Sequence, residues 1–235
     1  MIDKYFVIHC IAEAECCRSK INHQVIHIDG KCGLYVKHFL NNLCGVGLAS
    51  HLELGTGTGA SIISASFKNS GNFLTIDDWR RRATLKEEFI KNKRILSPFC
   101  NFVLLEEDLF NVNVSKLNKF KTLFWDGDHS QEGIFNSFLK YDPVFDEKFV
   151  FVLDDWNYPQ TKNAVDFIKN TNKYNVLFEK IIETDFEDVL ITGDHSTSTI
   201  STKDTIDPID PNKQKFPWWN GIYIALMSKK ICKIL

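Results

Sequence analysis

The stretch from His51 to Ser61 constrains the fold more than any other part of the chain. It contains an apolar strand ending, three alternating glycines and then the small residues that open a helix. Glycine adopts backbone conformations that are closed to other residues, and it has no side chain to hold a ligand away. A strand, a glycine turn and a helix in this order bring a ligand against main-chain N–H groups and a helix N-terminus. We therefore predict a binding turn for a polar, nucleoside-bearing ligand.

Two kinds of cofactor-binding turn fit this spacing. The segment Gly55–Ala60 satisfies the dinucleotide pattern G-x-G-x-x-G/A, and the acidic Asp77 follows about 20 residues later, so NAD binding stays open. Glu53, however, stands two positions before the first glycine, where an NAD-binding strand is usually apolar. The pattern Glu-x-Gly-x-Gly-x-Gly resembles the first motif of class I S-adenosylmethionine (SAM)-dependent methyltransferases. The resemblance implies that the turn packs on the methionine half of SAM and that Glu53 helps to hold its ammonium group. The predicted cofactor-binding residues of the turn are Glu53, Gly55, Thr56, Gly57 and Gly59.

Acidic residues also follow the next two predicted strands. Asp77 is the first residue after the strand Phe73–Ile76, where a carboxylate can accept hydrogen bonds from both hydroxyls of a ribose. Asp78 is instead expected to cap the following helix. The resemblance places Asp108 or Leu109, at the end of the third strand, near the adenine; a solvated turn is the alternative.

A second acidic cluster is predicted where the fourth and fifth strands end. Asp126-Gly127-Asp128-His129-Ser130 follows the fourth strand, and Asp154-Asp155-Trp156 follows the fifth. Ligands of doubly wound sheets bind beyond the carboxyl ends of the strands, so these motifs share one edge with the glycine turn. Crowded carboxylates require either shared protons or a cation, and oxygen ligands favour Mg²⁺, Ca²⁺ or Mn²⁺. We expect a divalent cation, with Mg²⁺ as the first choice.

These two motifs resemble the Asp-Gly-Asp-His-Ser and Asp-Asp pattern of macrocin-type, metal-dependent O-methyltransferases, which act on sugar hydroxyls of natural products. The resemblance covers residues 52–168. It implies that Asp126, Asp154 and Asp155 bind the metal, and that Asp128 is the general base with His129 as the alternative. The competing interpretation is that Asp128 or Ser130 caps the next helix and that the Asp-Asp pair is a solvated turn.

Composition limits the partners that we expect. The chain has 235 residues, 44% of them hydrophobic, and a formal net charge of -2, which provides no electrostatic footprint for nucleic acid. Seven cysteines without a C-x-x-C spacing indicate reduced thiols rather than disulfides or a zinc site. Neither a signal peptide nor a membrane-spanning run is predicted. We expect a cytoplasmic protein with a small-molecule substrate, without nucleic-acid or membrane partners, in which a dimer contact of a homo-oligomer stays open.

The predicted fold is an α/β, Rossmann-like doubly wound sheet of about seven strands, mostly parallel, with an antiparallel last strand. Residues 1–48 are predicted to form an N-terminal helical cap, and residues 49–235 a SAM-binding domain with a loop insertion at 185–219. The expected function is divalent-metal-dependent O-methylation of a small-molecule hydroxyl, such as that of a sugar diol or a catechol. The alternatives are an NAD-dependent oxidoreductase and a SAM-binding protein without metal-dependent catalysis.

Overall fold

A seven-stranded sheet with helices on both faces forms the centre of the protein in a computed structural model, which describes residues 2–47, 49–80, 82–184 and 217–230. The strands are β1 (Ala49–Leu54), β2 (Gly71–Ile76), β3 (Val103–Leu105), β4 (Phe120–Trp125), β5 (Phe145–Asp154), β6 (Tyr174–Ile182) and β7 (Ile222–Lys229). The α-helices are α1 (Lys4–Glu15), α2 (His23–Ile26), α3 (Leu34–Leu43), α4 (Ala60–Ser66), α5 (Ala83–Leu96), α6 (Gln131–Tyr141) and α7 (Pro159–Asn170). Two 3₁₀ turns lie at Val114–Lys116 and Asp142–Val144.

The strand order in the sheet is β3-β2-β1-β4-β5-β7-β6. Strands β1 to β5 pair in parallel, whereas β7 is antiparallel to both of its neighbours. This topology confirms the predicted doubly wound sheet with an antiparallel last strand. It also differs from the dinucleotide-binding fold, in which the sixth strand continues the parallel order.

The register of the strands places the predicted motifs at one edge. Leu54, the last residue of β1, pairs with Ile76 of β2 and with Trp125 of β4, and Trp125 in turn pairs with Leu153 of β5. The residues that follow these positions therefore leave the sheet at the same level. The glycine turn, Asp77 and both aspartate motifs meet at this edge for that reason.

Two hydrophobic clusters, one on each face, hold the helices to the sheet. One joins α1, α3 and α4 to the strands through buried residues such as Val7, Phe39 and Ile62. The other packs α6 and α7 on the opposite face, where Phe138 contacts several other rings. Because the N-terminal helices share a continuous cluster with the sheet, they bury apolar area together with it, which is the main favourable term in folding. The division into a cap and a domain remains a prediction.

The start of α5 differs from the sequence prediction. We expected Asp78 to be the N-cap of this helix, but the helix begins at Ala83 and its N-cap residue is Arg82. The Asp78 carboxylate instead accepts a hydrogen bond from the Arg80 amide at 3.0 Å. Trp79 lies between them in the left-handed region, with φ of +46°, which is incompatible with a helix passing through this position. The prediction for Asp78 was therefore wrong.

Most of the predicted insertion, residues 185–216, lies outside the described residues. The described part of the chain contains no helix long and apolar enough to cross a membrane. The six cysteines in this part are free thiols, as expected.

Candidate cofactor and active site

The glycine turn between β1 and α4 uses its glycines for different purposes. All three have positive φ, of +96°, +50° and +84° for Gly55, Gly57 and Gly59. A Cβ atom at Gly55 would collide with the main-chain oxygen of Asp126, and one at Gly59 would lie 2.7 Å from the Phe89 ring. A Cβ atom at Gly57 would meet no atom within 4 Å. Gly55 and Gly59 are thus required by packing within the protein, whereas Gly57 faces open space.

Asp77 braces this turn from the end of β2. Its Oδ2 atom accepts hydrogen bonds from the amides of Thr56 at 2.8 Å and Gly57 at 3.0 Å. Its Oδ1 atom accepts one from the Trp79 amide at 2.8 Å, and the Trp79 indole donates to the Gly57 carbonyl at 2.8 Å. A carboxylate has about four acceptor sites, so Asp77 keeps capacity for a ligand hydroxyl. Asp77 lines the cavity described below, and its predicted contact with a ribose stays a prediction.

Glu53 is fully buried beneath the turn and is not among the residues that line the cavity. Its Oε1 atom accepts a hydrogen bond from the Thr75 hydroxyl at 3.1 Å, and its Oε2 atom has no hydrogen-bond partner among the described residues. Burial, together with the nearby Asp126, raises the pKa of Glu53 well above its usual range. Glu53 is therefore an acidic group with one unmet acceptor atom directly below the predicted cofactor turn.

A cavity of about 910 Å³ lies above the carboxyl edge of the sheet. It is continuous from the glycine turn and the end of β2 to the acidic cluster at the ends of β4 and β5. Its wall also includes Asp29–Cys32 from the N-terminal region and the turn with Trp219 and Asn220 before β7. This volume lies within the range of small-molecule and cofactor sites.

Arg80 connects the ends of β2 and β3 at the mouth of the cavity. Its Nη2 atom lies 2.6 Å from Oδ2 of Asp78 and 2.6 Å from Oδ2 of Asp108. A hydrogen bond from the Phe110 amide, followed by the contact with Arg80, lowers the pKa of Asp108. The adenine contact of Asp108 stays a prediction. The Asp108 carboxylate is held by Arg80, which belongs to none of the predicted motifs.

His129 lies between two of the three aspartates that were predicted to bind a metal. Its Nδ1 atom is 2.7 Å from Oδ2 of Asp155, and its Nε2 atom is 3.4 Å from Oδ1 of Asp126. Oδ1 of Asp155 accepts a hydrogen bond from the Asn220 side chain at 3.2 Å. The sequence motifs therefore converge, with His129 held against Asp155 and Asn220 supporting the pair.

The charges of this cluster influence one another. Burial by itself would lower the pKa of His129, but the carboxylates of Asp155 and Asp126 outweigh it and raise the pKa. Burial by itself would raise the pKa of Asp155, and His129 with Asn220 outweighs it and lowers the pKa. For Asp126, burial and the repulsion of Asp155 raise the pKa to about 7. The arrangement favours an imidazolium–carboxylate pair between His129 and Asp155.

Asp154 is the least compensated member of the cluster. It is buried and lines the cavity, and its Oδ1 atom has no hydrogen-bond partner in the described part of the chain. Burial, followed by repulsion from Asp126 and Asp155, raises its pKa well above the usual range. An unpartnered carboxyl oxygen in this position costs free energy unless a donor or a cation reaches it.

Asp128 has a more local environment. Its Oδ1 atom accepts a hydrogen bond from the Ser130 amide at 3.0 Å, and its Oδ2 atom accepts one from the Ser130 hydroxyl at 3.1 Å. Ser130 in turn caps α6 by accepting a hydrogen bond from the Gly133 amide at 3.0 Å. Asp128 lines the cavity but is exposed, whereas His129 is partly buried in the cluster. The two candidate general bases thus differ in their exposure to solvent.

The donor set has the chemistry of a site for a hard cation, but not its geometry. Carboxylate oxygens suit Mg²⁺, and Asp126, Asp154 and Asp155 supply three carboxylates at one point. Among residues 2–47, 49–80, 82–184 and 217–230, however, no three His, Cys, Asp or Glu side chains are arranged as a metal site. Both oxygens of Asp155 are engaged by His129 and Asn220. The predicted set therefore fits a divalent cation in ligand type, and in this arrangement Asp155 contacts His129 and Asn220.

Several residues of the cavity wall lie outside the predicted motifs. Tyr158 and Asn220 line the cavity, as do Lys31 and Arg82, and none carries a recognisable motif. Trp219 also lines the cavity. The neighbouring Trp218 instead packs in the core against Tyr35, Phe39 and their surroundings.

Known structures share this architecture. No protein-family model and no curated protein sequence matches the chain. The O-methyltransferase TomG from Streptomyces achromogenes, solved with SAM and involved in tomaymycin synthesis, is 14% identical and matches 97% of this chain and all of its own with a TM-score of 0.57. An O-methyltransferase from Bacillus cereus, solved with S-adenosylhomocysteine (SAH), is 13% identical over 98% of this chain and 93% of its own, with a TM-score of 0.51.

A third similar structure is magnesium protoporphyrin IX methyltransferase from Synechocystis PCC 6803 with bound SAM. It is 11% identical and covers 83% of this chain and 76% of its own, with a TM-score of 0.50. At these identities the likeness defines the fold. The chain therefore has the Rossmann-like methyltransferase fold, with helices on both sides of a seven-stranded sheet whose β7 is antiparallel.

Proposed function

We propose that this protein is a SAM-dependent methyltransferase that methylates a hydroxyl of a small molecule. The observation that carries the proposal is the single cavity that connects the glycine turn with the cluster around His129. A methyltransferase needs such continuity because the methyl donor and the acceptor must meet in one space, shielded from water. The SAM and SAH bound to proteins of the same fold support this choice of cofactor.

The cofactor end of the cavity fits an adenosine bearing an amino acid. Gly57 leaves open space at the turn, and Asp77 holds the Thr56 and Gly57 amides in a fixed position. The Oε2 atom of Glu53, which has no hydrogen-bond partner among the described residues, is an acceptor below the turn that a ligand ammonium group would satisfy. When bound, SAM supplies an electrophilic methyl group on a sulfonium. The protein supplies a preorganised cradle for it.

At the other end, His129 lines the cavity, and in the neutral form that prevails above its raised pKa it can accept the proton of an acceptor hydroxyl. Asp155 contacts its Nδ1 atom and Asn220 holds Asp155, so the ring has a fixed orientation. A histidine oriented in this way by a carboxylate is a typical general base. Asp128, which the resemblance favours for this role, also lines the cavity and is the alternative. Each assignment predicts a different variant that loses activity.

We further propose that a divalent cation, Mg²⁺ in the first instance, binds at Asp126, Asp154 and Asp155. The supporting observation is the unpartnered Oδ1 atom of Asp154 in a cluster of three carboxylates. Bound there, a cation supplies Lewis acidity that makes an acceptor hydroxyl more acidic. Since a cation can chelate two oxygens, we expect an acceptor with vicinal hydroxyls, such as a sugar diol or a catechol.

Titration calorimetry tests which cofactor the protein binds. We expect SAH to bind and NAD not to bind, because the fold and the acidic Glu53 both differ from a dinucleotide site. Tighter binding of NAD than of SAH would reject the methyltransferase proposal in favour of an oxidoreductase. Binding of SAH without methyl transfer to any small-molecule or RNA acceptor would indicate a SAM-binding protein.

Methyl transfer from radiolabelled SAM to a panel of catechols and sugar diols tests the base. His129→Gln should reduce kcat by about 100-fold or more while SAH affinity stays within about twofold, since general-base catalysis contributes roughly 10²–10⁴. Asp128→Asn is the matched control and should retain most of the activity. The opposite order would assign the base to Asp128.

A thermal shift experiment tests the cation independently of activity. Added Mg²⁺ or Mn²⁺ should raise the melting temperature of the EDTA-treated protein, because binding to the folded state relieves the carboxylate repulsion. Asp154→Asn should abolish this gain and leave SAH affinity largely intact. Full methyl transfer in excess EDTA would leave a metal-independent enzyme.

A further inference from the structure

The segment Asp29–Cys32, here called the N-terminal arm, forms part of the wall of the cavity. It lies close to the glycine turn, because a Cβ atom at Gly30 would collide with the Thr58 hydroxyl and lie 3.3 Å from the Ala60 side chain. Thr58 and Ala60 form the end of the turn and the start of α4. The arm therefore borders the place where the amino-acid end of the proposed cofactor would lie.

Buried interactions fix the arm in this position. The Lys37 side chain is completely buried, and its Nζ atom donates hydrogen bonds to the carbonyls of Ile26 at 2.8 Å and Ile28 at 2.9 Å. On the other side of the arm, the Tyr35 amide donates to the Pro217 carbonyl at 2.8 Å. The arm is thus a built part of the site rather than a loose connection.

Lys31 is the basic residue of the arm, and it lines the cavity while partly buried. Burial lowers its pKa, and the nearby positive charge of Arg82 lowers it further, although Asp155 and Asp126 oppose this effect. Arg82 lines the same cavity from the segment that precedes α5. Lys31 and Arg82 therefore place two positive charges on the wall of one cavity, and both would attract an anionic group of a bound ligand.

We propose that Lys31 binds the carboxylate at the amino-acid end of the cofactor, with Arg82 contributing to the same positive potential. This inference rests on the proposed function. The amino-acid end carries an ammonium and a carboxylate on one carbon. The unpartnered Oε2 acceptor of Glu53 below the turn suits the former, and the basic Lys31 on the cavity wall suits the latter. The alternative ligand of Lys31 is an anionic group, a carboxylate or a phosphate, on the methyl acceptor.

Two ligands that differ in the amino-acid end separate these sources. SAH carries the carboxylate, whereas 5′-methylthioadenosine retains the adenosine and the thioether but lacks the amino-acid end. Both should be titrated calorimetrically into the wild type, Lys31→Met, Lys31→Arg and Lys121→Met. The last is a matched control, since Lys121 is an exposed lysine on β4. Melting temperatures should be measured for each variant to verify folding.

Loss of a charge-assisted contact should weaken SAH binding by about tenfold or more in Lys31→Met. The affinity for 5′-methylthioadenosine should change less than about twofold, Lys31→Arg should recover most of the SAH affinity, and Lys121→Met should match the wild type. Equal weakening of both ligands, or of neither, would overturn the assignment. Unchanged SAH affinity with a raised KM for an anionic acceptor would assign Lys31 to the acceptor instead. If the wild type binds neither ligand, the proposed function itself fails.

Discussion

Replacing Asp77 tests whether the cofactor site depends on the brace beneath the glycine turn. The Asp77→Ala variant removes the acceptor of three main-chain N–H groups, two of which belong to the turn at Thr56 and Gly57. A hydrogen bond to a charged group is worth about 1.5–3 kcal/mol. Because Asp77 is only partly buried, water can satisfy some of the N–H groups that lose their acceptor. We therefore take the net loss of binding free energy as that of one such hydrogen bond. With about 1.4 kcal/mol for each factor of ten, SAH should bind roughly 10- to 100-fold more weakly.

The neighbouring Asp78 provides a matched control. Its contact with Arg80 is exposed, with 31% and 65% of the two side chains accessible, and Arg80 keeps its second contact with Asp108 when Asp78 is removed. Exposed pairs contribute about 0–1 kcal/mol, so Asp78→Ala should change SAH affinity less than about fivefold. Both variants are measured by calorimetry at one salt concentration. A larger effect from Asp78→Ala than from Asp77→Ala would refute the reasoning.

Two further predictions concern folding and binding together. Gly57→Leu should abolish SAH binding, because its side chain enters the open space at the turn, and should cost about 1–2 kcal/mol of stability because φ is positive at this position. Gly55→Ala should instead lower the urea concentration at which the protein unfolds by far more, because its Cβ atom collides with the main-chain oxygen of Asp126. A soluble, SAH-binding Gly57→Leu protein would contradict this. Burial lowers the pKa of Lys37 from 10.5 to about 8 in the folded state. Between these two pH values the unfolded state binds more protons than the folded state. The free energy of unfolding should therefore rise with pH across this range. Relative to Lys37→Met, the wild type should gain about 2–3 kcal/mol between pH 8 and 10 in urea unfolding; a pH-independent difference would disprove the shift.

The sequence alone determined the architecture and the edge at which ligands bind. Apolar strands alternate with amphipathic helices, and this periodicity encodes a doubly wound sheet without reference to distant residues. Parallel strands end at one edge, so the glycine turn and the aspartates at positions 77, 126, 154 and 155 had to gather there. The register of β1, β2, β4 and β5 agrees with this expectation.

Only the tertiary structure decided which groups contact each other at that edge. Asn220, which is 65 residues away in the chain, donates a hydrogen bond to the Asp155 carboxylate. His129 lies between Asp155 and Asp126. The N-terminal arm meets the glycine turn because Lys37 and the Tyr35 amide hold it there. Local patterns specify where a side chain leaves the backbone, whereas its partner depends on rotamers and on segments that packing brings together from distant parts of the chain. For that reason the sequence located the aspartates, and the fold determined that the Asp77 carboxylate braces the turn while that of Asp155 holds a histidine.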